Sequence, residues 1–203
     1  LGSSSKGRLP NEEMRGTDMC GESEGECVFF LRGVNLDARS KVSMPLLREL
    51  VASKFGLERV RTHLQSGNLL CAPPAGPQDF ADGLTKLVRE WFGVDSPVVY
   101  RTAADLRRAV EADPLADVVG DESFSHVMFF DRDVDSFDGR RFRDALKDGE
   151  DLAWAPRELY LWYGTPRGLH GSRITQAYAE RHLGVTVTAR NMRTLRKLVT
   201  MLD

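Results

Sequence analysis

The run Thr188-Ala189-Arg190-Asn191-Met192-Arg193-Thr194-Leu195-Arg196-Lys197 crowds guanidinium, amide and hydroxyl groups where a strand is expected to turn into the last helix. Backbone N–H groups at a helix start face outward, the helix dipole favours negative charge there, and neighbouring arginines add hydrogen bonds to an oxyanion. Arg190, Asn191 and Arg193 are therefore candidate anion-binding residues. Arg190, Arg193 and Lys197 fall at i, i+3 and i+7, on one face, with Arg196 to one side. A solvated basic face has the same pattern. Upstream, Gly171-Ser172-Arg173-Ile174-Thr175 opens another expected helix after the Gly164–His170 loop. Ser172 as its N-cap and Arg173 beside it are further anion-binding candidates, although ordinary capping also explains them.

A second polar cluster comes from two distant segments, Arg32-Gly33-Val34-Asn35 and Gln65-Ser66-Gly67-Asn68. If the strands they adjoin pair antiparallel, the end of one lies beside the start of the other. Arg32, Asn35, Gln65, Ser66 and Asn68 then meet, either around a phosphate or carboxylate or as a turn in which Gly67 takes a positive φ.

Other chemistries lack their residues. No G-x-x-x-x-G-K-[ST] loop cradles a nucleotide phosphate, and no G-x-S-x-G elbow supports Ser66 or Ser172 as a nucleophile. His63, His126, His170 and His182 show no metal-ligand spacing. Asp131-x-Asp133-x-Asp135 begins like a calcium loop, but Ser136 stands where glycine is needed and Phe142 where glutamate is needed. Cys20, Cys27 and Cys71 form no C-x-x-C pair; Cys27 and Cys71 lie in apolar runs and read as buried thiols of a reducing compartment. No cofactor and no metal are implied.

These groups need a scaffold, and the apolar pattern supplies one. Strands are expected at Cys27–Leu31, Val60–Leu64, Asn68–Ala72 and Pro97–Arg101, with helices from Ser43 to Phe55 (Leu46, Leu47 and Leu50 inward) and from the Pro73–Pro77 loop to Phe92 (Phe80, Leu84, Leu87, Val88 and Trp91 inward). Thr102 caps a helix to Ala112. The order then repeats: strand Ser125–Phe130, helix Arg140–Lys147, strands Asp151–Ala155 and Leu159–Tyr163, helix Ser172–Leu183, strand Val185–Ala189 and a last helix from Asn191 to about Met201. On the strand at 159–163, Tyr160 and Trp162 share one face, for base stacking or for core packing. Two successive βαββαβ units imply an α+β fold of two tandem ferredoxin-like plaits plus a C-terminal helix. The expected division is a disordered, partly tag-derived segment at 1–26, a first plait over 27–112 and a second over 113–203.

With 203 residues, 41% of them hydrophobic and 29% charged, the chain has the composition of a globular protein. Its net charge of −2 hides a basic last quarter: residues 157–203 hold eight basic and three acidic side chains. No stretch approaches membrane-spanning length and no signal peptide is visible, so the protein reads as cytoplasmic, without a membrane partner.

Four segments together, Leu31-Arg32-Gly33-Val34-Asn35, Arg61-Thr62-His63-Leu64-Gln65-Ser66-Gly67-Asn68, Glu158-Leu159-Tyr160-Leu161-Trp162-Tyr163 and Thr188-Ala189-Arg190-Asn191-Met192-Arg193-Thr194, resemble the bacterial family catalogued as domain of unknown function 1697. The resemblance runs from Cys27 to Leu202 and implies a pair of α-β plaits without an established activity. Family members tend to carry an aromatic where His63 and Met192 stand here, which weakens a stacking role at both positions.

Three functions follow as expectations. The first is a binding protein for an anionic small molecule or nucleotide, with RNA as a further ligand. The second is an enzyme acting on a phosphorylated or carboxylated metabolite, with His63 its least poor general base. The third is a protein-interaction module. The oligomeric state does not follow from the sequence.

Overall fold

The computed structural model describes residues 25–202 apart from 75, 119, 135 and 166–169. The expectations for Cys20, for Asp135, for most of the 1–26 segment and for the centre of the Gly164–His170 loop lie outside the described residues.

The first half runs β1 (Cys27–Leu31), α1 (Met44–Phe55), β2 (Arg61–His63), β3 (Asn68–Cys71), α2 (Pro77–Phe92), β4 (Val98–Thr102) and α3 (Ala103–Glu111). After a 3-10 turn at Glu122–Phe124 the order repeats as β5 (Ser125–Phe130), α4 (Gly139–Ala145), β6 (Asp151–Ala155), β7 (Glu158–Trp162), α5 (Gln176–Leu183), β8 (Val187–Asn191) and α6 (Met192–Val199). Two four-stranded antiparallel sheets result, ordered β2-β3-β1-β4 and β6-β7-β5-β8. No helix among the described residues is long and apolar enough to cross a membrane.

Most elements lie within a residue or two of their sequence-based bounds, and three differences are informative. Helix α5 starts at Gln176, not Ser172, because the Thr175 hydroxyl accepts the Tyr178 amide as the cap. Ser172 instead closes a turn by accepting the Ile174 amide, 3.1 Å away, which drives Ile174 into the core. Arg190 belongs to strand β8, so it does not share the α6 face with Arg193 and Lys197. Trp91 points to solvent, with Phe92 packed on the core in its place, and Leu46 is also exposed while Met44, Leu47 and Val51 are buried.

Period-two alternation distributes the core between three layers. Cys27, Phe29 and Leu31 of β1 face α1 and α2 in one apolar cluster. Met128 and Phe130 of β5 face α4 and α5 in another. The opposite faces meet: Val28 and Phe30 pack with Val127, Phe129 and Tyr160, closed at the side by Leu106 and Ala109 of α3 and Leu195 and Leu198 of α6. The apolar stripe of α6 therefore seals a core shared by both halves. Tyr160 is buried there, and its hydroxyl donates to the Ala109 carbonyl at 3.0 Å, so it has no free face for stacking a base.

At the centre of the shared core the rings of Phe30 and Phe129 stack at 5.0 Å and 5°. Removing one ring leaves a cavity between two sheets that cannot collapse independently. Phe129→Ala is expected to cost about 3–5 kcal/mol, lowering the melting temperature by roughly 6–20 °C for a chain of this size. A fall of less than about 2 °C in a thermal melt would show that the stacked pair does not hold the halves together.

Candidate functional site

The register of the two sheets places Arg101 and Arg190 in equivalent positions. Arg101 of β4 lies opposite Val28 of β1, and Arg190 of β8 lies opposite Val127 of β5. Both valines face the shared core, so both arginines leave their strands toward the other half. Arg101 donates to the Phe130 carbonyl at 3.1 Å, the Arg157 carbonyl at 2.6 Å and the Glu158 carboxylate at 2.8 Å, with its guanidinium 4.9 Å from the Phe129 ring centre. Arg190 donates to the Leu31 carbonyl at 2.9 Å, the Ser66 and Gly67 carbonyls at 2.8 and 3.3 Å, and the Asn68 amide oxygen at 2.5 Å. It lies 5.3 Å from the Phe30 ring centre. Three acceptors correspond, Leu31 with Phe130, Gly67 with Arg157 and Asn68 with Glu158, and the Ser66 carbonyl is additional at Arg190.

The exception in charge is the last pair. Glu158 gives Arg101 a carboxylate; Asn68 gives Arg190 a neutral amide. Asn68 must remain a donor, because its Nδ2 also reaches the His63 carbonyl at 2.9 Å and the Ser66 hydroxyl at 3.0 Å. Burial lowers the pKa of both guanidiniums, but at Arg101 the Glu158 charge opposes the shift. At Arg190 burial acts alone, bringing the value to about 10, and the group stays protonated at neutral pH. The charge of Arg190 is thus buried among neutral acceptors. All its N–H groups are engaged, since Nη1 also donates to the Thr188 hydroxyl at 3.0 Å and to the Ala189 carbonyl at 2.8 Å.

A cleft of about 310 Å³ opens beside this charge, between the halves. Ser66, Thr188, Asn191, Thr194, Gln176 and His126 line it with polar groups, and Val34, Leu36 and Leu64 with apolar ones. The lone pairs already in use set its polarity. The Ser66 oxygen accepts from Asn68 and the Thr188 oxygen accepts from Arg190, so each hydroxyl has its proton left to donate. Asn191 accepts the Thr194 amide through Oδ1 at 2.8 Å as the cap of α6, leaving its NH₂ as a donor. His126 is held against Tyr163, its Nδ1 buried without a hydrogen-bond partner, and burial pushes its pKa down to about 4. At neutral pH it is an uncharged imidazole. The cleft therefore holds neutral polar groups, with donors on Ser66, Thr188 and Asn191, beside one buried positive charge.

Sequence-based candidates divide between this cleft and structural work. Arg190, Asn191 and Ser66 line it, and Asn68 stands behind it. Arg32 is instead a brace between the halves, donating to Glu180 at 2.7 Å and to the Val187 carbonyl at 3.1 Å. Asn35 and Gln65 shape the neighbouring loop: the Asn35 amide donates to the Gln65 carbonyl at 2.7 Å and the Val42 carbonyl at 3.0 Å, and accepts the Val42 amide at 2.9 Å. Arg193 and Arg196 pair with Asp121 at 3.3 Å and Glu122 at 2.7 Å, so acidic residues before β5 offset the basic face of α6. Neither Ser172, Arg173 nor His63 lines the cleft. No group of three or more His, Cys, Asp or Glu gathers to hold a metal among the described residues.

Thr188, His126, Gln176, Thr194, Leu36 and Leu64 were not among the sequence-based site candidates, and neither was Arg101. For Arg101 a signal exists: Val98-Val99-Tyr100-Arg101-Thr102 and Val187-Thr188-Ala189-Arg190-Asn191 both end a strand with arginine followed by a helix cap.

Residues 25–160 match the family described as "Protein of unknown function (DUF1697)". Among solved structures, the chain is similar to the conserved bacterial protein SP0830 from Streptococcus pneumoniae, with a TM-score of 0.65 and 17% identity over 88% of this chain and 98% of that one. At that identity the likeness concerns the fold. No curated protein matches.

The buried imidazole of His126 carries a pH signature. Its folded pKa of about 4 lies below its ordinary 6.5, so the unfolded state binds more protons between those values. The stability tied to neutral His126 is complete above about pH 6.5 and is lost as pH falls toward about 4. Between about pH 7.5 and about pH 5, wild type is expected to lose more stability in denaturant titrations than His126→Gln. Parallel losses would show that His126 is not held neutral.

Proposed function

The chain belongs to the DUF1697 family, and we propose that it is a binding protein for a small anionic molecule, which sits in the cleft between its halves. One observation carries this reading: Arg101 has Glu158 as counter-charge, whereas its equivalent Arg190 has Asn68 and an adjoining cleft. A buried cation without a counter-ion is costly, and a bound anion supplies one. At about 4 Å and an effective dielectric near 20, that attraction is about 4 kcal/mol. The ligand need not hydrogen-bond to Arg190 itself; the Ser66 and Thr188 hydroxyls, polarised by Asn68 and by Arg190, hold it.

Small size is favoured over RNA. Arg193 and Arg196 are paired with acids and Tyr160 is buried, so a basic, aromatic strip for a polynucleotide lacks support. An enzymatic reading is weaker, because the imidazole at the cleft is a poor base near neutral pH and His63 lies outside it. We read each half as a ferredoxin-like plait, divided near residue 112, on its βαββαβ element order and its strand order. A reducing, cytoplasmic setting accords with Cys27 and Cys71, which face each other on β1 and β3 as buried cysteines.

The test is a carboxylate built into the protein. Asn68→Asp places a negative charge where Glu158 sits in the other half, so it should neutralise Arg190 and compete with any anion. In a thermal-shift titration with simple organic and inorganic anions, wild type should gain about 2.7 kcal/mol at a hundredfold excess over Kd, and the folded variant almost nothing. Thr188→Val, which removes one donor hydroxyl, should weaken binding about tenfold. Equal shifts in wild type and Asn68→Asp, or no shift with any anion, would overturn the reading.

A further inference from the structure

Resting on the anion-binding reading above, we infer that the ligand is a monocarboxylate bearing an apolar tail, with its head on the Arg190 floor and its tail against Leu36 and Leu64. The head group follows from counting charge. Arg190 is the one charged residue that lines the cleft among the described residues, and His126 adds no charge at neutral pH. A phosphate monoester brings a charge of about −1.5 to −2, leaving a second negative charge desolvated without a partner. A carboxylate brings one charge and about four lone-pair sites, which suit the Ser66 and Thr188 hydroxyls and the free amide of Asn191.

The tail follows from the rim. Leu36 is 81% exposed and Leu64 58% exposed, yet both line the same cleft, together with the buried Val34. Leu64 is held at φ 58°, in the left-handed region that a branched side chain avoids. Its neighbours enforce that conformation: Asn68 clamps the His63 carbonyl on one side and Asn35 the Gln65 carbonyl on the other. The clamp that positions Asn68 beneath Arg190 thus also presents an apolar side chain at the mouth. Three branched aliphatic residues above a single buried cation complement a chain with an acid at one end.

Isothermal titration of the full chain with acetate, butanoate, hexanoate, octanoate and inorganic phosphate tests this. Affinity should rise about fourfold per methylene up to hexanoate or octanoate, with phosphate no tighter than acetate. Leu36→Ser and Leu64→Asn should flatten the chain-length series, weakening hexanoate and octanoate far more than acetate. Leu64→Asn should not lower the melting temperature, since asparagine tolerates this φ, so loss of fold cannot mimic the result. Anion binding that Asn68→Asp abolishes but that is indifferent to chain length, or is strongest for phosphate, overturns the tail and keeps the anion site. A chain-length effect untouched by Asn68→Asp also overturns the inference, because the acids then bind elsewhere. Absence of binding by every probe overturns both.

Discussion

Two guanidiniums that cross between the halves set the geometry from which the rest follows. Each leaves the strand before a C-terminal helix and ends on the carbonyls where the first and third strands of the opposite half meet. The Gly67 and Arg157 carbonyls accept the Leu31 and Phe130 amides and keep a second lone pair, and the Leu31 and Phe130 carbonyls end their strands; burying such acceptors unsatisfied is costly. The arginines satisfy them, and stacking of each guanidinium near a phenylalanine ring ties that polar closure to the apolar centre. Docking of the sheets, burial of Phe30 and Phe129, and closure by α3 and α6 are consequences of one arrangement used twice.

Close approach is required for it to work. Gly67 has φ 75°, and a Cβ there would lie 2.7 Å from both the Leu31 Cβ and the Val34 Cγ2. Only without a side chain can the turn lie so near the end of β1 that one guanidinium nitrogen reaches the Leu31, Ser66 and Gly67 carbonyls together. The same turn carries Ser66 into the cleft wall and Leu64 to its mouth. Scaffold and candidate site therefore share residues, and a substitution in the turn is felt by both.

Most elements were readable from the sequence because they are amphipathic at helical or strand period with ordinary caps: Ser43, Thr102 and Asn191 each accept an amide as their type suggests. The start of α5 was not, because Ser172 and Thr175 are both competent caps and the choice depends on burying Ile174. Trp91 failed for a similar reason: helical spacing allows it inward, but the core at that end is filled by Phe92. Of the site, Arg190, Asn191, Ser66 and Asn68 were visible as residues, whereas their meeting was not. Arg190 and Asn68 are brought together by packing of one half on the other, and no local pattern encodes which strand ends face each other. His126 was uninformative for the same reason, since its neutrality comes from burial and not from a neighbouring motif.

Whether a buried arginine is structural or available to a ligand cannot be read from its own bonds here. Arg101 and Arg190 both give Nε to the side chain on the third strand and their terminal N–H groups to corresponding carbonyls of the opposite half. What separates them is one neighbour. Glu158 closes the charge of Arg101 within the fold, and Asn68, obliged to donate to His63 and Ser66, cannot do so for Arg190. The turn at 63–68 thus creates the unpaired charge through the same hydrogen bonds that shape the cleft around it. Charge balance, more than the number of donors, sets the candidate site beside Arg190 and not beside Arg101.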